Sequence, residues 1–263
     1  MTLFFSTELF KLGIETYGGG YVINKDFVRW IFRAWKYRLF IEKQEIKFLL
    51  NNLKPGQTVV DIGAYKGAYT YWMSKSIGAA GKVFAFEPQP EAYTSLKNLL
   101  NQSHSNNVHL ELLALSSKKG HATILRPGDK FSPSASISFE KKLGRQTLTV
   151  ETTTLDNYFL KESQIPVHFI KCDVEGHELN VFRSGVKMIK KYQPTIIVEC
   201  EARHCGKNNV KELFFLFEKL GYKGFFYNGE LMANVDNFDI FQHQLTHYKK
   251  IYVNNFFFTP DKV

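Results

Sequence analysis

The sequence predicts an α/β fold in which a mostly parallel sheet is covered by helices on both faces. Two observations support this. Short β-branched apolar runs alternate along the chain with segments whose apolar residues recur every three or four positions. The links between them are short and often hold glycine or proline. At 263 residues the chain can bury a sizeable core as one domain, or as one domain with an appendage.

The first forty residues are the hardest part to interpret. We expect residues 1–40 to form an N-terminal arm or lid and residues 41–263 to form the main domain. Residues 17–21 predict a turn, and a short strand is expected to start at 21–23. Basic and aromatic residues interleave over 29–38. This pattern fits a lid for an anionic or sugar-bearing partner, or an amphipathic helix packed on the sheet with its arginines solvated.

The alternating elements follow in order after residue 41. Apolar residues three and four apart predict helices over 42–53, 67–77, 91–101 and 209–220. Apolar runs of strand length predict parallel strands over 58–62, 82–86, 108–113, 167–172 and 195–200. Lys54-Pro55-Gly56 ends the first of these helices. Because ligands of open parallel sheets bind beyond the carboxyl ends of the strands, we search for a site there.

The middle and the end of the chain depart from this alternation. Period-two patterns and terminal apolar runs predict antiparallel strands over 121–125, 146–150, 222–227 and 250–257. The last two are expected to form a hairpin that closes the sheet. Segment 126–145, rich in Ser, Gly, Pro and Lys, is interpreted either as a loop that shapes a substrate site or as a flexible surface insertion. A short helix is expected to open at 155–159.

Composition limits the class of protein. Hydrophobic residues make up 44% and aromatic residues 15% of the chain, which excludes a disordered chain. The net charge of +9 suits an anionic partner, a membrane surface or a nucleic acid, and it equally serves solubility. No 18-residue apolar stretch is free of charge, and no secretory signal is found.

Three cysteines indicate a reducing compartment. Cys172 and Cys200 lie in apolar strand-like runs, and neither they nor Cys205 have the paired spacing of a zinc site. We therefore expect buried free thiols and a cytoplasmic location.

The segment 58–67 predicts a nucleoside-binding turn. A buried strand runs into Gly63-Ala64-Tyr65-Lys66-Gly67, and Glu87 follows twenty residues later at the end of the next strand. An acid at this place can accept hydrogen bonds from both ribose hydroxyls. A dinucleotide turn needs Gly-x-Gly-x-x-Gly, and here the middle glycine is missing. Asp61 adds negative charge, which disfavours a pyrophosphate and favours a cationic ligand group, although it can also simply bond the turn amides.

These motifs resemble a known enzyme family. The chain resembles the S-adenosylmethionine-dependent methyltransferase superfamily and, more narrowly, the FkbM family of O-methyltransferases over about residues 40–258. The most specific motif is Lys-x-Asp-x-Glu-Gly-x-Glu at the end of the fourth parallel strand, residues 171–178. The other segments that carry the resemblance are residues 60–67, 86–88, 113–116, 154–156 and 253–258.

The resemblance implies a Rossmann-like class I methyltransferase fold, with a seven-stranded, mostly parallel sheet and an antiparallel C-terminal hairpin. It implies S-adenosyl-L-methionine as the cofactor. In this picture Glu87 takes the ribose, while Asp61 and Asp173 lie near the charged part of the cofactor. The remaining residues expected at the cofactor are Gly63, Ala64 and Gly67 at the methionine part, Pro88 at the ribose turn, and Ala114 and Ser116 at the adenine edge. For Ser116 a hydroxyl that caps a turn is the alternative.

Methyl transfer to an alcohol requires that the acceptor oxygen is positioned in line with the methyl carbon and that the hydroxyl proton is removed. Asp173, at the end of the fourth strand, is the first candidate for the acid/base or hydroxyl-positioning group. Lys171 shares its strand face and is expected to pair with it. Glu175 and His204 are further catalytic candidates. Carboxylates at 173, 175, 199 and 201 also offer oxygen ligands for a divalent ion, but no dedicated spacing is present, so no metal is expected.

The expected reaction is O-methylation of a hydroxyl on a sugar, glycolipid or polyketide-like product, with a small-molecule or glycan- or lipid-linked acceptor. A nucleic-acid methyltransferase is the alternative, suggested by charge and by Arg29, Arg33 and Arg38. It is disfavoured because the Pro-Pro motif of amine-methylating members is replaced at 173–176. A non-enzymatic scaffold is disfavoured by the complete set of pocket acids and glycines. Peripheral membrane contact and homo-oligomers stay open.

Overall fold

The computed structural model describes residues 14–17, 20–127, 132, 135–137, 145–246 and 251–261. Some of the predicted features therefore lie outside the described residues. These are residues 1–13 and 18–19 of the N-terminal arm, most of segment 126–145, and the start of the last predicted strand at residue 250.

Helices and strands alternate along most of the chain. The helices are α1 Lys25–Lys36, α2 Lys43–Asn52, α3 Ala68–Ile77, α4 Pro90–Gln102, α5 Glu178–Arg183, α6 Val186–Tyr192, α7 Ala202–Cys205 and α8 Lys207–Lys219. π-Helical turns lie at Tyr37–Ile41, Asn157–Glu162 and Phe241–Leu245, and a 3₁₀ turn lies at Val235–Asn237. The strands are β1 Ile14–Tyr17, β2 Gly20–Ile23, β3 Thr58–Ile62, β4 Lys82–Phe86, β5 Val108–Glu111, β6 Ala114–Leu115, β7 Gly120–Pro127, β8 Ser136–Ile137, β9 Arg145–Thr153, β10 Phe169–Cys172, β11 Thr195–Glu199, β12 Tyr222–Asn228, β13 Leu231–Asn234 and β14 Asn255–Pro260.

The main sheet has eight strands in the order β13-β12-β14-β11-β10-β3-β4-β5. Strands β5, β4, β3, β10 and β11 are parallel, and β14, β12 and β13 add antiparallel pairs. The mostly parallel sheet with an antiparallel C-terminal part is confirmed. The predicted count of seven strands was wrong by one, because β13 forms a hairpin with β12. Strand β13 has only four residues, and all are exposed or half-buried, so it lacks the longer apolar run or alternation from which the other strands were predicted.

The parallel strands at the centre are covered on both faces. Every residue of β3 is buried, and alternate side chains enter two different apolar clusters. Val60 and Ile62 pack on one face with side chains that include Phe159, Phe182, Phe217 and Phe256. Val59 packs on the other face with side chains that include Trp30, Leu49, Trp72 and Phe257. Burial on both faces explains the β-branched runs from which these strands were predicted.

A second, four-stranded sheet has the order β6-β9-β7-β8. Its strands β7 and β9 pair antiparallel from Gly120 opposite Thr152 to Pro127 opposite Arg145. The antiparallel strands predicted at 121–125 and 146–150 are therefore confirmed. Strand β6 joins this sheet directly after β5, so the small sheet lies next to the carboxyl ends of the main parallel strands.

Helix α1 is an amphipathic helix that packs on the domain. Asn24 caps it by accepting from the backbone N–H groups of residues 26 and 27. Its buried side chains are Phe27, Trp30, Ile31 and Ala34. The indole of Trp30 donates to the Gly67 carbonyl at 3.2 Å, and the indole of Trp72 donates to the Ala34 carbonyl at 2.8 Å. The packed amphipathic helix is therefore confirmed, but of its arginines only Arg29 is exposed, whereas Arg33 is half-buried. In the described part of the chain, no helix combines the length and apolarity needed to cross a bilayer.

Candidate functional site

A cavity opens at the carboxyl ends of β3, β4 and β10. Four parts of the chain form its wall: the strand ends, the turn after β3, the small sheet, and helix α1 with the π-helical turn that follows it. Of the predicted site residues, those on the wall are Asp61, Gly63, Ala64, Glu87, Pro88, Ala114, Lys171, Asp173 and Glu175. The predicted residues Gly67, Ser116 and His204 are not on the wall.

The turn after β3 is fixed by close packing. Gly63 has φ +82°, and a Cβ at this position would overlap the backbone oxygen of Asp173 and lie 3.0 Å from its carbonyl carbon. The N–H groups of Gly63 and Ala64 both donate to the Phe86 carbonyl at 3.0 Å. Gly63 is therefore required where the ends of β3 and β10 meet. Gly67, at φ +71°, closes the turn beneath Trp30 and Leu96, where a Cβ would overlap a Leu96 methyl group.

Glu87 is an acid buried at the end of β4. Its side chain is 2% exposed, and its two carboxylate oxygens accept the N–H groups of Tyr65 and Gln89, each at 2.8 Å. Burial raises the pKa of Glu87 to about 7, although these N–H groups act in the opposite direction. Because each oxygen has a second lone pair, the carboxylate can also accept from hydroxyl groups in the cavity.

A buried cluster of charges forms the floor of the cavity. The Lys171 ammonium donates to Asp173 at 2.9 Å and lies 4.8 Å from the centre of the Tyr69 ring. Asp61, its neighbour across β3 and β10, accepts from the Thr70 hydroxyl at 2.6 Å. Burial lowers the pKa of Lys171, but the nearby carboxylates, Asp173 first, outweigh it and raise the pKa overall. Lys171 therefore stays cationic.

The acids around Lys171 outnumber it. Burial raises the pKa of Asp61, and Lys171 opposes that effect. Glu42 accepts from the Tyr69 hydroxyl and has a pKa raised by burial. Burial, and next the Asp173 carboxylate, raise the pKa of Glu199 well above its usual range. A ligand group that carries positive charge would be favoured on this buried floor, because it would stabilise the ionised forms of the crowded carboxyl groups.

A second acidic group lies at the corner after β10. Glu175, at φ +54°, borders the cavity and lies 2.7 Å from Nδ1 of His204. Burial, and next the Asp173 charge, raise the pKa of Glu175 to about 7. The His204 side chain is 30% exposed. The two groups are close enough to exchange a proton, and both are partly exposed to solvent.

Glu178 holds this corner in shape. It is buried, and its Oε1 accepts the N–H groups of Gly176 at 2.8 Å and of Val174 at 3.3 Å. Gly176 has φ +102°, and a Cβ there would lie 2.9 Å from the backbone of His204. The motif at 171–178 thus combines cavity residues with residues that build the turn.

Ser116 and His177 form a buried bond beside the cavity. The Ser116 hydroxyl lies 2.9 Å from Nε2 of His177, and the Asn180 amide nitrogen lies 3.2 Å from Nδ1. Because the amide donates to Nδ1, Nε2 carries the hydrogen and donates to Ser116. Burial lowers the pKa of His177 to about 4, so the ring is neutral. Ser116 is therefore engaged away from the cavity, and its neighbours Ala114 and Leu115 line the wall instead.

Two cationic side chains line the cavity where α1 meets the turn after β3. Arg33 of α1 and Lys66 of the turn both line the cavity, together with Tyr37. Burial, and next the Arg33 guanidinium, lower the pKa of Lys66. Among the described residues, no acid forms an ion pair with Arg33. This wall can bind an anionic ligand group.

The cysteines lie behind the corner rather than in the cavity. Cys172 and Cys200 are free and buried, as predicted. Within the described ranges, the group of side chains close enough to share a metal ion is Glu178, Cys200 and Cys205, with ligand atoms within 4.8 Å. The four carboxylates considered as cation ligands from the sequence do not form such a group there.

Comparison with known proteins identifies the family of the chain. The model of the methyltransferase FkbM domain matches residues 61–223. Hexuronic acid methyltransferase AglP of Haloferax volcanii is 26% identical over 170 residues, which span 64% of this chain and 66% of that protein. Ribosomal RNA large subunit methyltransferase E of Legionella pneumophila is 30% identical over 83 residues, or 31% of this chain and 40% of that protein. Both matches span less than two thirds of the relative's length.

A solved structure shares the fold. The O-methyltransferase from Bacillus cereus, in complex with SAH, has a TM-score of 0.50 and 10% identity. The alignment covers 89% of this chain and 90% of that one. The Rossmann-like fold is therefore confirmed.

Proposed function

Because the chain belongs to the FkbM methyltransferase family, we propose that it methylates a hydroxyl group of a sugar, glycolipid or polyketide-like product with S-adenosylmethionine. One observation carries the proposal. The cavity places the buried acid Glu87 and a cluster of acidic side chains around Asp61 at the carboxyl ends of adjacent parallel strands. The SAH complex of the Bacillus cereus enzyme supports the choice of cofactor.

The donor set on the wall fits this cofactor. Glu87 offers two carboxylate oxygens to the ribose hydroxyls, and Pro88 follows it in the same turn. Asp61 and Asp173 offer negative charge to the ammonium and sulfonium groups. Gly63 and Ala64 would face the methionine part, and Ala114 would lie near adenine. S-adenosylmethionine supplies, when bound, a methyl group whose bond to sulfur breaks as the acceptor oxygen attacks, with the electron pair staying on sulfur.

The residues of the corner would remove the acceptor's proton. Lys171 holds the Asp173 carboxylate at 2.9 Å, which makes Asp173 suited to orient the hydroxyl group. Glu175, with its pKa raised by burial to about 7, is the better proton acceptor at neutral pH. His204, bonded to Glu175 at 2.7 Å and partly exposed, would pass the proton to solvent. In this scheme Asp173 positions the acceptor hydroxyl group and Glu175 accepts its proton.

The acceptor carries a carboxylate or another anionic group in this proposal. Arg33 and Lys66 supply the positive wall that such a group needs. The relative from Haloferax volcanii is a hexuronic acid methyltransferase, and a uronic sugar has this chemistry.

A nucleic-acid acceptor is the second candidate. It is favoured by the net charge of +9 and by the match to a ribosomal RNA methyltransferase over 31% of the chain. It predicts RNA binding that weakens steeply as salt is raised.

A labelled-methyl transfer screen tests the proposal. The purified protein is incubated with methyl-labelled S-adenosylmethionine and a panel of neutral sugars, uronic sugars, glycolipids and RNA. We expect label on a hydroxyl of an acidic saccharide. Glu175→Gln should lower kcat by about a hundredfold or more. The matched control Glu218→Gln, on the exposed side of α8, should leave kcat unchanged. Label that enters RNA alone would favour the second candidate and contradict the first.

A further inference from the structure

Large apolar side chains are exposed near the cavity. Nine large hydrophobic side chains are exposed in the described part of the chain, and five of them belong to two neighbouring segments. We call these five the apolar patch: Phe32 (67% exposed), Phe40 (79%), Ile41 (52%), Leu231 (77%) and Met232 (43%). A soluble protein that functions alone rarely exposes so many large apolar groups together, so the patch calls for a partner.

Backbone geometry brings the two segments together. Phe32 lies on α1, and Phe40 lies on the π-helical turn that continues it two turns later, so both share one helical face. The turn before β13 is bonded to the start of α2, where the Gln44 amide donates to the Gly229 carbonyl at 2.6 Å. Gln44 is three residues from Ile41, and Gly229 is two residues from Leu231. The patch therefore extends from α1 across to the β12–β13 hairpin.

The rim of the patch is basic. Exposed cationic side chains on α1 and α2 are Lys25, Arg29, Lys36, Lys43 and Lys47. The exposed acids nearby are Asp26, which pairs with Arg29 at 3.1 Å, and Glu230. Burial raises the pKa of the half-buried Glu45 to about 7, so it adds only part of a negative charge at neutral pH. Positive charge therefore exceeds negative charge around the patch.

We propose that the apolar patch and its basic rim dock the protein on an anionic membrane surface. Phenylalanine and isoleucine side chains enter the boundary between headgroups and acyl chains, while lysine and arginine stay at the anionic headgroups. A two-fold contact with a second copy fits less well, because it would bring the same basic side chains of both copies together.

Docking would also orient the cavity. Arg33 on α1 and Tyr37 on the following turn line the cavity, so the patch and one cavity wall belong to the same continuous helical segment. A docked protein holds this wall close to the membrane. If the protein is a methyltransferase as proposed above, docking favours an acceptor that is linked to a lipid. The docking itself does not rest on the proposed function.

Vesicle co-sedimentation of the full chain tests the docking. Vesicles of phosphatidylcholine alone are compared with vesicles that also contain phosphatidylglycerol, at low and at high salt. We expect binding only to the anionic vesicles, and weaker binding at high salt. Phe32→Ser and Phe40→Ser should each weaken binding by on the order of tenfold, and Lys36→Gln by about fivefold. These side chains are exposed, so thermal unfolding should stay unchanged.

Phe215→Ser is the matched control, because Phe215 is 53% exposed on α8, outside the patch. It should bind vesicles as the wild type does. Absence of binding to anionic vesicles would overturn the proposal. Binding that appears only after removal of residues 1–13 would overturn it too, since that segment would then be the occupant. The proposal would also be overturned if the wild-type protein bound no vesicles and instead formed dimers that Phe40→Ser dissociates. The vesicle assay contains no cofactor and no acceptor, so absence of vesicle binding would not contradict the methyl-transfer proposal.

Discussion

Replacing Gly63 by alanine should destabilise the protein far more than the same change at Gly56. The two residues have nearly the same φ, +82° and +81°, in the left-handed region. Left-handed backbone costs an alanine about 1–2 kcal/mol at either position. At Gly56 the new Cβ would meet nothing within 4 Å, but at Gly63 it would overlap the backbone oxygen of Asp173. Gly56→Ala is therefore a matched control for backbone strain.

The extra cost at Gly63 follows from what must move. To clear the Cβ, the end of β10 has to shift by roughly an ångström, and the bond from the Asp173 N–H to the Ile62 carbonyl, 3.0 Å long, is lost. An unsatisfied buried backbone group costs about 1–3 kcal/mol. We therefore expect Gly63→Ala to lose about 2 kcal/mol more free energy of unfolding than Gly56→Ala, and to lose cofactor binding as well.

Urea unfolding followed by tryptophan fluorescence measures both variants. Isothermal titration calorimetry with S-adenosylhomocysteine measures the site. Equal free energies of unfolding for the two variants, within about 0.5 kcal/mol, would refute the close approach of β3 and β10.

Three further predictions concern the cavity. Burial raises the pKa of Glu175 to about 7, and its carboxyl group must be deprotonated to accept a proton, so kcat/KM for the acceptor should fall about tenfold per pH unit below pH 7. The profile is measured at saturating S-adenosylmethionine, because burial raises the pKa of Glu87 to about 7 as well. Glu175→Gln should remove this acid limb, and a flat wild-type profile would contradict the assignment. Lys171→Met leaves the Asp61 and Asp173 carboxylates without their cation and should lower the free energy of unfolding by about 3 kcal/mol. An unchanged urea concentration at the unfolding midpoint would argue against the charge cluster. Arg33→Ala should raise the KM for an acidic acceptor about tenfold and leave the KM for S-adenosylmethionine unchanged. If only the KM for S-adenosylmethionine rose, the Arg33 guanidinium would instead bind the cofactor.

The central strands could be predicted closely from the sequence. Strand β3 was predicted at 58–62 and β4 at 82–86, and both have these bounds. Burial on both faces demands continuous apolar runs, and such runs have clear ends. The third strand was predicted to reach residue 113 but ends at Glu111, and its side chains are mostly half-buried. Edge strands such as β5 and β13 carry a weaker pattern because one side faces solvent.

The acids of the site could also be predicted, because the carboxyl ends of parallel strands meet at one edge. Glu42, Tyr37 and the cavity position of Arg33 could not. They lie on the wall because Trp30 anchors α1 to the Gly67 carbonyl, a contact between residues 37 positions apart. Such a contact depends on tertiary packing, and no local pattern encodes it. The interleaved basic and aromatic residues at 29–38 were the only signal in the sequence.

The role given to Gly63 changed with the structure. Its spacing from Gly67 suggested a turn that lets a ligand approach the backbone. In the structure the atom that occupies the place of its Cβ is the Asp173 backbone oxygen. The glycine thus joins the turn after β3 to the corner after β10 by packing, and this is visible only once β3 and β10 are neighbours in the sheet.

Calorimetric titration with S-adenosylmethionine and S-adenosylhomocysteine tests the central claim most directly. We expect both to bind to the wild-type protein, and Glu87→Gln to weaken binding by about tenfold to a hundredfold, since hydrogen bonds to a charged group are lost. Glu218→Gln should bind as the wild type does. Absence of binding by the folded wild-type protein, or unchanged affinity in Glu87→Gln, would contradict the assignment of this cavity as the cofactor site.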